Sequence, residues 1–223
     1  MGSVSVRNAS KEYVLGRTVV KALKDVSLEV EKSEFIAIAG PSGSGKSTLL
    51  NLVSAIDSPT SGEVLIDGVP LKSLDDNALS DLRANKIGFI FQTFNLIPVL
   101  SAYENVEFPL LFKKSRAAAK DRVAETLARV GLQDFMHHRP DELSGGQRQR
   151  VAVARALVTD PLIVLADEPT ANLDSETGQA VIDLMLEINQ SAGTTFIFST
   201  HDPNVMQHAR RVVRLVDGRV VTS

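Results

Sequence analysis

Four short apolar runs in the 223-residue sequence each end at a polar residue, and this pattern constrains the fold more than any other feature. Residues 35–39 run into Gly40, residues 87–91 into Gln92, residues 162–166 into Asp167 and Glu168, and residues 195–199 into Thr200 and His201. Uninterrupted apolar strands that alternate with helical segments are typical of a parallel sheet with both faces covered. Ligands of such sheets bind beyond the carboxyl ends of the strands. We therefore expect the polar residues after the four runs to share one edge of one sheet.

Two further segments have the pattern of β-hairpins and lie outside this predicted parallel core. Residues 62–66 and 69–71 flank Asp67-Gly68, and residues 212–216 and 219–221 flank Asp217-Gly218. Asp-Gly readily supplies the positive φ values of a tight hairpin turn. We therefore predict an α/β fold with a parallel sheet and an N-terminal antiparallel β subdomain.

The stretch between residues 93 and 158 lacks a strand signal and has helical periodicity instead. Val123, Leu127 and Val130 follow the spacing of one helix face, and Ser115 is a suitable N-cap before them. We interpret residues 93–158 as an α-helical subdomain inserted into a core formed by residues 1–92 and 159–223. The whole chain is then a single domain.

Residues 40–47 match the phosphate-binding P-loop pattern G-x-x-x-x-G-K-[ST]. The candidate phosphate-binding residues are Gly40, Pro41, Ser42, Gly43, Ser44, Gly45, Lys46, Ser47 and Thr48. The glycines let backbone N–H groups approach phosphate oxygens, and the helix that follows presents its positive end to them. Lys46 would reach the β- and γ-phosphates, while the Ser47 hydroxyl would ligate Mg²⁺. A chance Gly/Ser loop would not require the apolar run before it and the helical segment after it.

The other predicted strand ends supply groups suited to phosphate hydrolysis. Asp167 could hold Mg²⁺ through its water shell, and Glu168 could polarise the attacking water. Gln92 could sense Mg²⁺ or that water, and His201 could hydrogen-bond the γ-phosphate. The alternatives are that the two acids merely end a buried strand and that Gln92 and His201 are ordinary surface residues. Their expected position on the edge that carries the P-loop favours the catalytic interpretation.

A second candidate phosphate site lies at residues 143–147, with the sequence LSGGQ, before a helical segment predicted at 148–158. Ser144 is a good N-cap, and Gly145 and Gly146 open the helix end to an anion. One nucleotide's phosphates are already surrounded by the P-loop. The second helix terminus would therefore serve a nucleotide held by another copy in a two-fold dimer. The alternative is an ordinary capped helix.

Composition excludes some function classes. The formal net charge of −3 argues against nucleic-acid binding, which usually requires a basic excess. Cysteine is absent, so disulfides and thiolate metal sites are excluded. The apolar runs fall well short of the roughly 20 residues that a membrane-spanning helix needs. We expect a chain that is soluble when isolated and that needs a partner for any role at a membrane.

The order and spacing of these motifs resemble those of ATP-binding cassette (ABC) ATPases over nearly the whole chain. The motifs are the P-loop, Gln92, LSGGQ, Asp167-Glu168, Asn172-Leu173-Asp174 and His201. The resemblance implies a homodimer that encloses two ATP molecules with Mg²⁺. It further implies that Tyr13 stacks on adenine, that Ser144, Gly145, Gly146 and Gln147 act on the partner's nucleotide, and that Asp174 couples the two sites.

Residues 88–98, 103–106 and 166–174 are similar to the lipoprotein-releasing, macrolide-exporting and cell-division ATPases. Ala171 departs from this group, which usually has glycine there. The group's partners are integral membrane permease subunits, which implies a peripheral position at the cytoplasmic face of the inner membrane.

We expect the membrane partner to dock between Phe94 and Tyr103. Phe94, Leu96 and Ile97 would form an exposed apolar patch there, or would instead pack inside the helical subdomain. The alternative functions are a non-transport ABC ATPase, working mechanically in cell division or on DNA or ribosomes, and a P-loop kinase. LSGGQ and its spacing have no place in the kinase interpretation.

Overall fold

Two β-sheets and their covering helices make up the part of the chain that the computed structural model describes, residues 2–112 and 119–221. The strands are β1 (Val4–Leu15), β2 (Thr18–Val30), β3 (Phe35–Ala39), β4 (Ser61–Ile66), β5 (Val69–Pro70), β6 (Ile87–Ile90), β7 (Ile163–Asp167), β8 (Thr195–Thr200), β9 (Arg211–Val216) and β10 (Arg219–Val221). The α-helices are α1 (Lys46–Val53), α2 (Asp76–Lys86), α3 (Ala102–Glu107), α4 (Ala119–Arg129), α5 (Gly145–Leu157), α6 (Ser175–Ala192) and α7 (Pro203–Met206).

The larger sheet has the strand order β10-β9-β3-β8-β7-β6. All its pairings are parallel except that of β10 with β9. Strands β3 and β8 are buried along their whole length, as continuous apolar runs predict for a sheet covered on both faces. The four predicted strands lie side by side, so the polar residues at their carboxyl ends share one edge. The predicted α/β fold with a parallel sheet is confirmed.

The ends of the predicted strands need small corrections. The strand predicted at 87–91 ends at Ile90, and the one predicted at 162–166 runs from Ile163 to Asp167. The strand predicted at 195–199 continues to Thr200. The pairing of neighbouring strands explains the extensions, since Asp167 pairs with Ser199 and Thr200 with Ala39. Polar side chains at a sheet edge can therefore remain inside the ladder.

Both predicted hairpins form, but only the first lies outside the larger sheet. Asp67 and Gly68 have φ values of 50° and 81°, and Asp217 and Gly218 have values of 47° and 77°. The first hairpin belongs to a separate antiparallel sheet of order β2-β1-β4-β5. The C-terminal hairpin instead joins the larger sheet, because β9 runs parallel to β3. Alternation along β9 buries Val213 and Leu215 against that core.

Helices α3, α4 and α5 lie between β6 and β7 along the chain, and the described part of residues 93–158 contains no strand. The predicted N-cap Ser115 lies outside the described residues. Val123, Leu127 and Val130 are all buried in one apolar cluster. Helix α5 is capped by Ser144 as predicted, but it begins at Gly145, three residues before the segment predicted to be helical. Within the described residues, no helix combines the length and the apolar character needed to cross a bilayer.

The larger sheet separates two apolar clusters, and alternate residues of β3 point to opposite ones. Phe35 and Ala37 belong to the cluster shared with α3, α5 and α6, whereas Ile36 and Ile38 belong to the cluster shared with α1 and β1. Both faces of the strand are therefore anchored. Such packing gives the loop that follows β3 a rigid base.

Candidate functional site

The loop between β3 and α1 is shaped by glycines where the backbone requires them. Gly43 and Gly45 have φ values of 79° and 105°, in the left-handed region that side chains disfavour. A Cβ atom on Gly45 would also come within 2.6 Å of the Ala22 carbonyl oxygen. The loop then enters α1 at Lys46, so the first N–H groups of this helix face the space above the sheet.

The C-terminal hairpin forms the back of this loop. A Cβ atom on Gly40 would lie 2.1 Å from the carbonyl oxygen of Leu215. The Gly218 N–H donates to the Ser44 carbonyl oxygen at 3.0 Å, and the Lys24 N–H donates to the Gly218 carbonyl oxygen at 2.8 Å. The loop is therefore held between the N-terminal and C-terminal strands.

A pocket of about 640 Å³ opens over this loop, within the usual size range of small-molecule sites. Its wall consists of Val20, Lys21 and Ala22 from β2, Pro41, Ser42, Gly43, Gly45, Lys46, Ser47 and Thr48 from the loop and α1, and Gln92, Glu168 and His201 from the strand ends. Most of the predicted P-loop residues and three of the predicted strand-end residues therefore meet in one place. Asp167 lies beside the pocket, next to Glu168.

Glu168 is held between two nitrogen groups at the floor of the pocket. Its Oε1 lies 3.3 Å from Lys46 Nζ, and its Oε2 lies 2.8 Å from His201 Nδ1. The Lys46 side chain is only 6% exposed and also donates to the carbonyl oxygens of Gly40 and Pro41, at 2.9 and 3.2 Å. The His201 side chain is 64% exposed, so it borders the open side. The pocket thus holds a carboxylate, an ammonium group and an imidazole within reach of each other.

Asp167 is oriented by Ser199, the last residue of the predicted apolar run 195–199. The Ser199 hydroxyl donates to Asp167 Oδ1 at 2.5 Å and accepts from the Glu168 N–H at 2.9 Å. Ser199 is completely buried. A polar residue near the end of an apolar strand was the one feature of the sequence that could have indicated a role for Ser199. Its bond to Asp167 could not be predicted, because that bond depends on the register of β7 and β8.

Gln92 is exposed at the pocket wall, and its backbone is tied to a neighbouring loop. Its carbonyl oxygen accepts from Asn172 Nδ2 at 2.8 Å. Asn172 lies in the segment between β7 and α6 that also contains Asp174. This bond connects the segment after β6 with the segment after β7, across 80 residues of sequence.

Tyr13 is fixed by Asp57 and Lys11, neither of which belongs to a predicted motif. Its hydroxyl donates to Asp57 Oδ2 at 2.9 Å, and Lys11 Nζ lies 2.5 Å from Asp57 Oδ1 and 5.0 Å from the centre of the Tyr13 ring. Burial, followed by the bond to Asp57, raises the pKa of Tyr13. Burial acts to raise the pKa of Asp57, but the hydrogen bonds from Lys11 and Tyr13 outweigh it and lower that pKa overall. Tyr13 is not part of the pocket wall, but Val20, with which it pairs across β1 and β2, is.

The LSGGQ segment forms a second polar site, away from its own chain's pocket. Ser144 Oγ accepts from the Gln147 N–H at 3.2 Å, and Gln147 Oε1 accepts from the Ser144 N–H at 2.8 Å. Gly146 lies so close to α6 that a Cβ atom would be 2.3 Å from Thr177 Cγ2. Among the described residues, none from 144–147 lines the pocket over the P-loop.

Asp174 caps the helix on which this segment packs. Its Oδ1 accepts from the Thr177 N–H at 2.9 Å, and the hydrogen bonds from Thr177 lower its pKa. Gly145 lies against Leu173, one residue before Asp174. The LSGGQ segment and Asp174 therefore form one surface, separate from the pocket of the same copy.

Comparison with known proteins identifies this arrangement. The family model described as "ABC transporter" matches residues 23–171, which include the P-loop, Gln92, LSGGQ and Glu168. This chain belongs to the ABC transporter family.

Relatives along the whole length of this ABC protein support the assignment. The uncharacterized ABC transporter ATP-binding protein MJ0796 of Methanocaldococcus jannaschii is 47% identical over 222 residues, which cover 97% of this chain and 94% of the relative. A dimeric structure of MJ0796 in a post-hydrolysis state, bound to ADP and Pi, matches with a TM-score of 0.90 and 46% identity over 98% of this chain and 97% of that one.

Two named systems are also similar to this ABC protein. The lipoprotein-releasing system ATP-binding protein LolD of Anaeromyxobacter dehalogenans is 47% identical over 223 residues, 98% of this chain and 92% of the relative. The macrolide export ATP-binding/permease protein MacB of Syntrophobacter fumaroxidans is 43% identical over 221 residues, 98% of this chain but 31% of the relative. This chain is thus an ATP-binding ABC ATPase, as the resemblance of its motifs implied.

The oxygen atoms around the pocket suit Mg²⁺ bound together with a nucleotide. Residues 2–112 and 119–221 contain no group of three or more His, Cys, Asp or Glu side chains that is arranged to hold a metal ion by itself. Mg²⁺ typically uses one or two carboxylates, retained waters and substrate phosphates. Ser47, Gln92 and Asp167 offer oxygen ligands of this type, and the bond from Ser199 to Oδ1 leaves the other oxygen of Asp167 available.

Proposed function

We propose that this ABC protein is the hydrolytic subunit of a membrane transporter, and that it dimerises around two Mg-ATP molecules. The observation that carries the proposal is the position of Glu168 between Lys46 and His201, at the floor of the P-loop pocket. A carboxylate at this position can accept a proton from water beside the γ-phosphate. The dimeric MJ0796 structure with ADP and Pi supports the proposal by analogy.

Nucleotide binding would change the partner of Lys46. The ammonium group is now paired with Glu168 and two backbone carbonyls in a nearly buried position. A γ-phosphate offers it a stronger anionic partner, so Lys46 would turn to the phosphate and release Glu168. The freed carboxylate would orient the attacking water, while His201 and Gln92 stabilise the charge that develops on the phosphate. Mg²⁺ held by Ser47, Gln92 and Asp167 would neutralise phosphate charge.

The second copy would complete the site from the opposite side. Ser144, Gly145, Gly146 and Gln147 of that copy would approach the γ-phosphate with the N-terminus of α5. The exposed Ser144 and the separation of this segment from its own pocket support an action on the partner's nucleotide. Asp174, beside the same segment, would couple the two sites, and Tyr13 would stack on adenine.

The membrane partner would be a permease of the lipoprotein-release or macrolide-export type, docked near Phe94–Tyr103. The ATP-binding/permease protein MacB, which joins both functions in its name, supports this partner class. The expected apolar patch needs correction, because Phe94, Leu96 and Ile97 are only half-exposed and Leu96 packs against the core. Val99, which is 72% exposed, is the most accessible large apolar side chain of the segment. The subunit would then lie at the cytoplasmic face of the membrane.

The direct test compares the wild-type protein with Glu168→Gln. The variant should bind ATP, form a stable ATP-dependent dimer in light scattering, and lose about 100-fold or more of its turnover, since positioned acid–base groups contribute about 10²–10⁴-fold. Glu31 is exposed in the turn before β3, at the end of that strand opposite the P-loop, and gives the matched control Glu31→Gln with unchanged turnover. Rapid hydrolysis by Glu168→Gln without an ATP-dependent dimer would overturn the proposal.

A further inference from the structure

We propose that Ser199 is a positioning residue that joins the metal-side carboxylate of Asp167 to the backbone N–H of Glu168, the residue proposed to activate water. The inference rests on the roles proposed above for these two acids. Ser199 lies at the carboxyl end of β8, between the strands that end at the P-loop and at Asp167. A single hydroxyl group contacts both members of the acidic pair.

The direction of each hydrogen bond follows from the chemistry of the groups. The Glu168 N–H can only donate, so Ser199 Oγ accepts from it at 2.9 Å. The one hydroxyl hydrogen then goes to Asp167 Oδ1, which lies 2.5 Å away. Ser199 is 0% exposed, so bulk water does not compete for either bond. Bonds to a charged acceptor in such surroundings are stronger than neutral ones.

For Asp167, the consequence is a defined orientation. Ser199 occupies Oδ1, so the second carboxylate oxygen is the one available to the water shell of Mg²⁺. The parallel register that pairs Asp167 with Ser199 fixes the position of the donor. Hydrogen bonds that orient metal ligands typically change metal affinity or activity by about 10–100-fold when they are removed.

For Glu168, the consequence is a fixed backbone. Its φ of 46° is uncommon for a residue other than glycine, and such conformations persist only where the surroundings hold them. Ser199 holds the Glu168 N–H, and the Glu168 carbonyl oxygen accepts from the Ala171 N–H at 3.1 Å. The backbone is thus held on both sides, and the side chain is directed towards Lys46 and His201.

The test uses the full-length protein with Ser199→Ala, and with Ser199→Cys as a variant of similar size with a weaker hydrogen-bonding group. Mn²⁺ affinity in the presence of ADP is measured by electron paramagnetic resonance, and ADP affinity is measured separately in EDTA. We expect Mn²⁺ affinity to fall about 10-fold or more, with metal-free ADP affinity unchanged within about twofold. The Mg²⁺ concentration for half-maximal hydrolysis should rise in parallel, and Ser199→Thr should restore part of the loss.

Thr195→Val is the matched control, because Thr195 is a buried hydroxyl residue at the opposite end of the same strand. Its Oγ1 accepts from the Ser33 N–H at 3.0 Å, far along the strand from the acidic pair. This variant should keep the wild-type Mn²⁺ affinity. Unchanged Mn²⁺ affinity in Ser199→Ala and Ser199→Cys, or an equal loss in Thr195→Val, would overturn the proposal.

The outcomes for Ser199 and for the proposed function can be distinguished. If wild type hydrolyses ATP, Glu168→Gln does not, and Ser199→Ala matches wild type in metal affinity, only the role of Ser199 is wrong. If Glu168→Gln hydrolyses ATP as fast as wild type, the proposed function fails, whereas a loss of Mn²⁺ affinity in Ser199→Ala would still support the role of Ser199 in orienting Asp167.

Discussion

Lys46 Nζ lies 3.3 Å from Oε1 of Glu168, so the P-loop cation is paired with the carboxylate proposed to activate water. The two groups cannot act independently. As long as Lys46 holds Glu168, the carboxylate is occupied, and a γ-phosphate that draws Lys46 away would release it. The pair therefore links nucleotide binding to the availability of the base.

Lys46→Met should weaken ATP binding by about 10-fold or more, since charge-assisted hydrogen bonds to phosphate are among the stronger polar contacts. Titration with a fluorescent ATP analogue measures this change. Lys72→Met is the matched control, because Lys72 is an exposed lysine that pairs with Glu63 on the surface. The ATP affinity of this variant should match that of the wild-type protein. Equal affinities for Lys46→Met and wild type would contradict the assignment of Lys46 to the phosphates.

Ser144→Arg should block hydrolysis without preventing a single copy from binding ATP. The long cation would obstruct the approach of α5 to the partner's nucleotide, while the pocket of its own chain lacks this segment. Steady-state phosphate release and monomer ATP affinity are the two measurements. Ser101→Arg, measured in the isolated subunit without a membrane partner, is the control, since Ser101 caps α3 with the same type of capping box. A collapse of monomer ATP affinity in Ser144→Arg would show that the segment acts in its own chain.

Tyr13→Ala should weaken ATP binding by about 1–3 kcal/mol, the usual contribution of an aromatic ring stacked on a base. Tyr13→Phe keeps the ring but loses the bond to Asp57, and it should therefore lose a smaller part of the affinity. Isothermal titration with ATP and with inorganic triphosphate separates the adenine contribution, because triphosphate affinity should be the same in all three proteins. An equal loss of triphosphate affinity would argue against stacking.

Asp57→Asn should reduce stability at neutral pH, and the difference from wild type should shrink in acid. Folding lowers the pKa of Asp57 below its ordinary value of 3.8. This carboxylate therefore contributes stability above pH 3.8, and the contribution disappears as the pH falls through its folded-state pKa. Urea unfolding at pH 7 and at pH 3 measures the two differences. A difference that stays constant over this range would show that the pairs with Lys11 and Tyr13 do not depend on the charge of Asp57.

The sequence was sufficient to predict which residues meet at the sheet edge. Gln92, Glu168 and His201 each follow an apolar strand, and parallel strands bring their carboxyl ends together whatever their exact order. The same logic could not find Ser199, because its bond to Asp167 spans 32 residues and depends on the register of two strands. Asp57 was missed for a similar reason, since its bond to Tyr13 spans 44 residues and joins different elements.

Partial burial was also hard to predict from the sequence. The sequence is compatible both with a docking patch formed by Phe94, Leu96 and Ile97 and with packing of these residues in the interior. An irregular segment has no periodic pattern that would show which side chains face the solvent. The helix at LSGGQ begins earlier than its apolar pattern indicates, because the capping box of Ser144 and Gln147 sets its start. Local hydrogen bonds decided this boundary.

The contacts behind the P-loop have a consequence for synthesis of the protein. Gly40 lies against Leu215, and the Ser44 carbonyl oxygen is bonded by the N–H of Gly218. A nascent chain has already made its phosphate-binding loop long before it makes the strands that support this loop from behind. The loop can be fully braced only after the C-terminal hairpin has left the ribosome and paired with β3, so the nucleotide pocket is among the last parts of this fold to be completed.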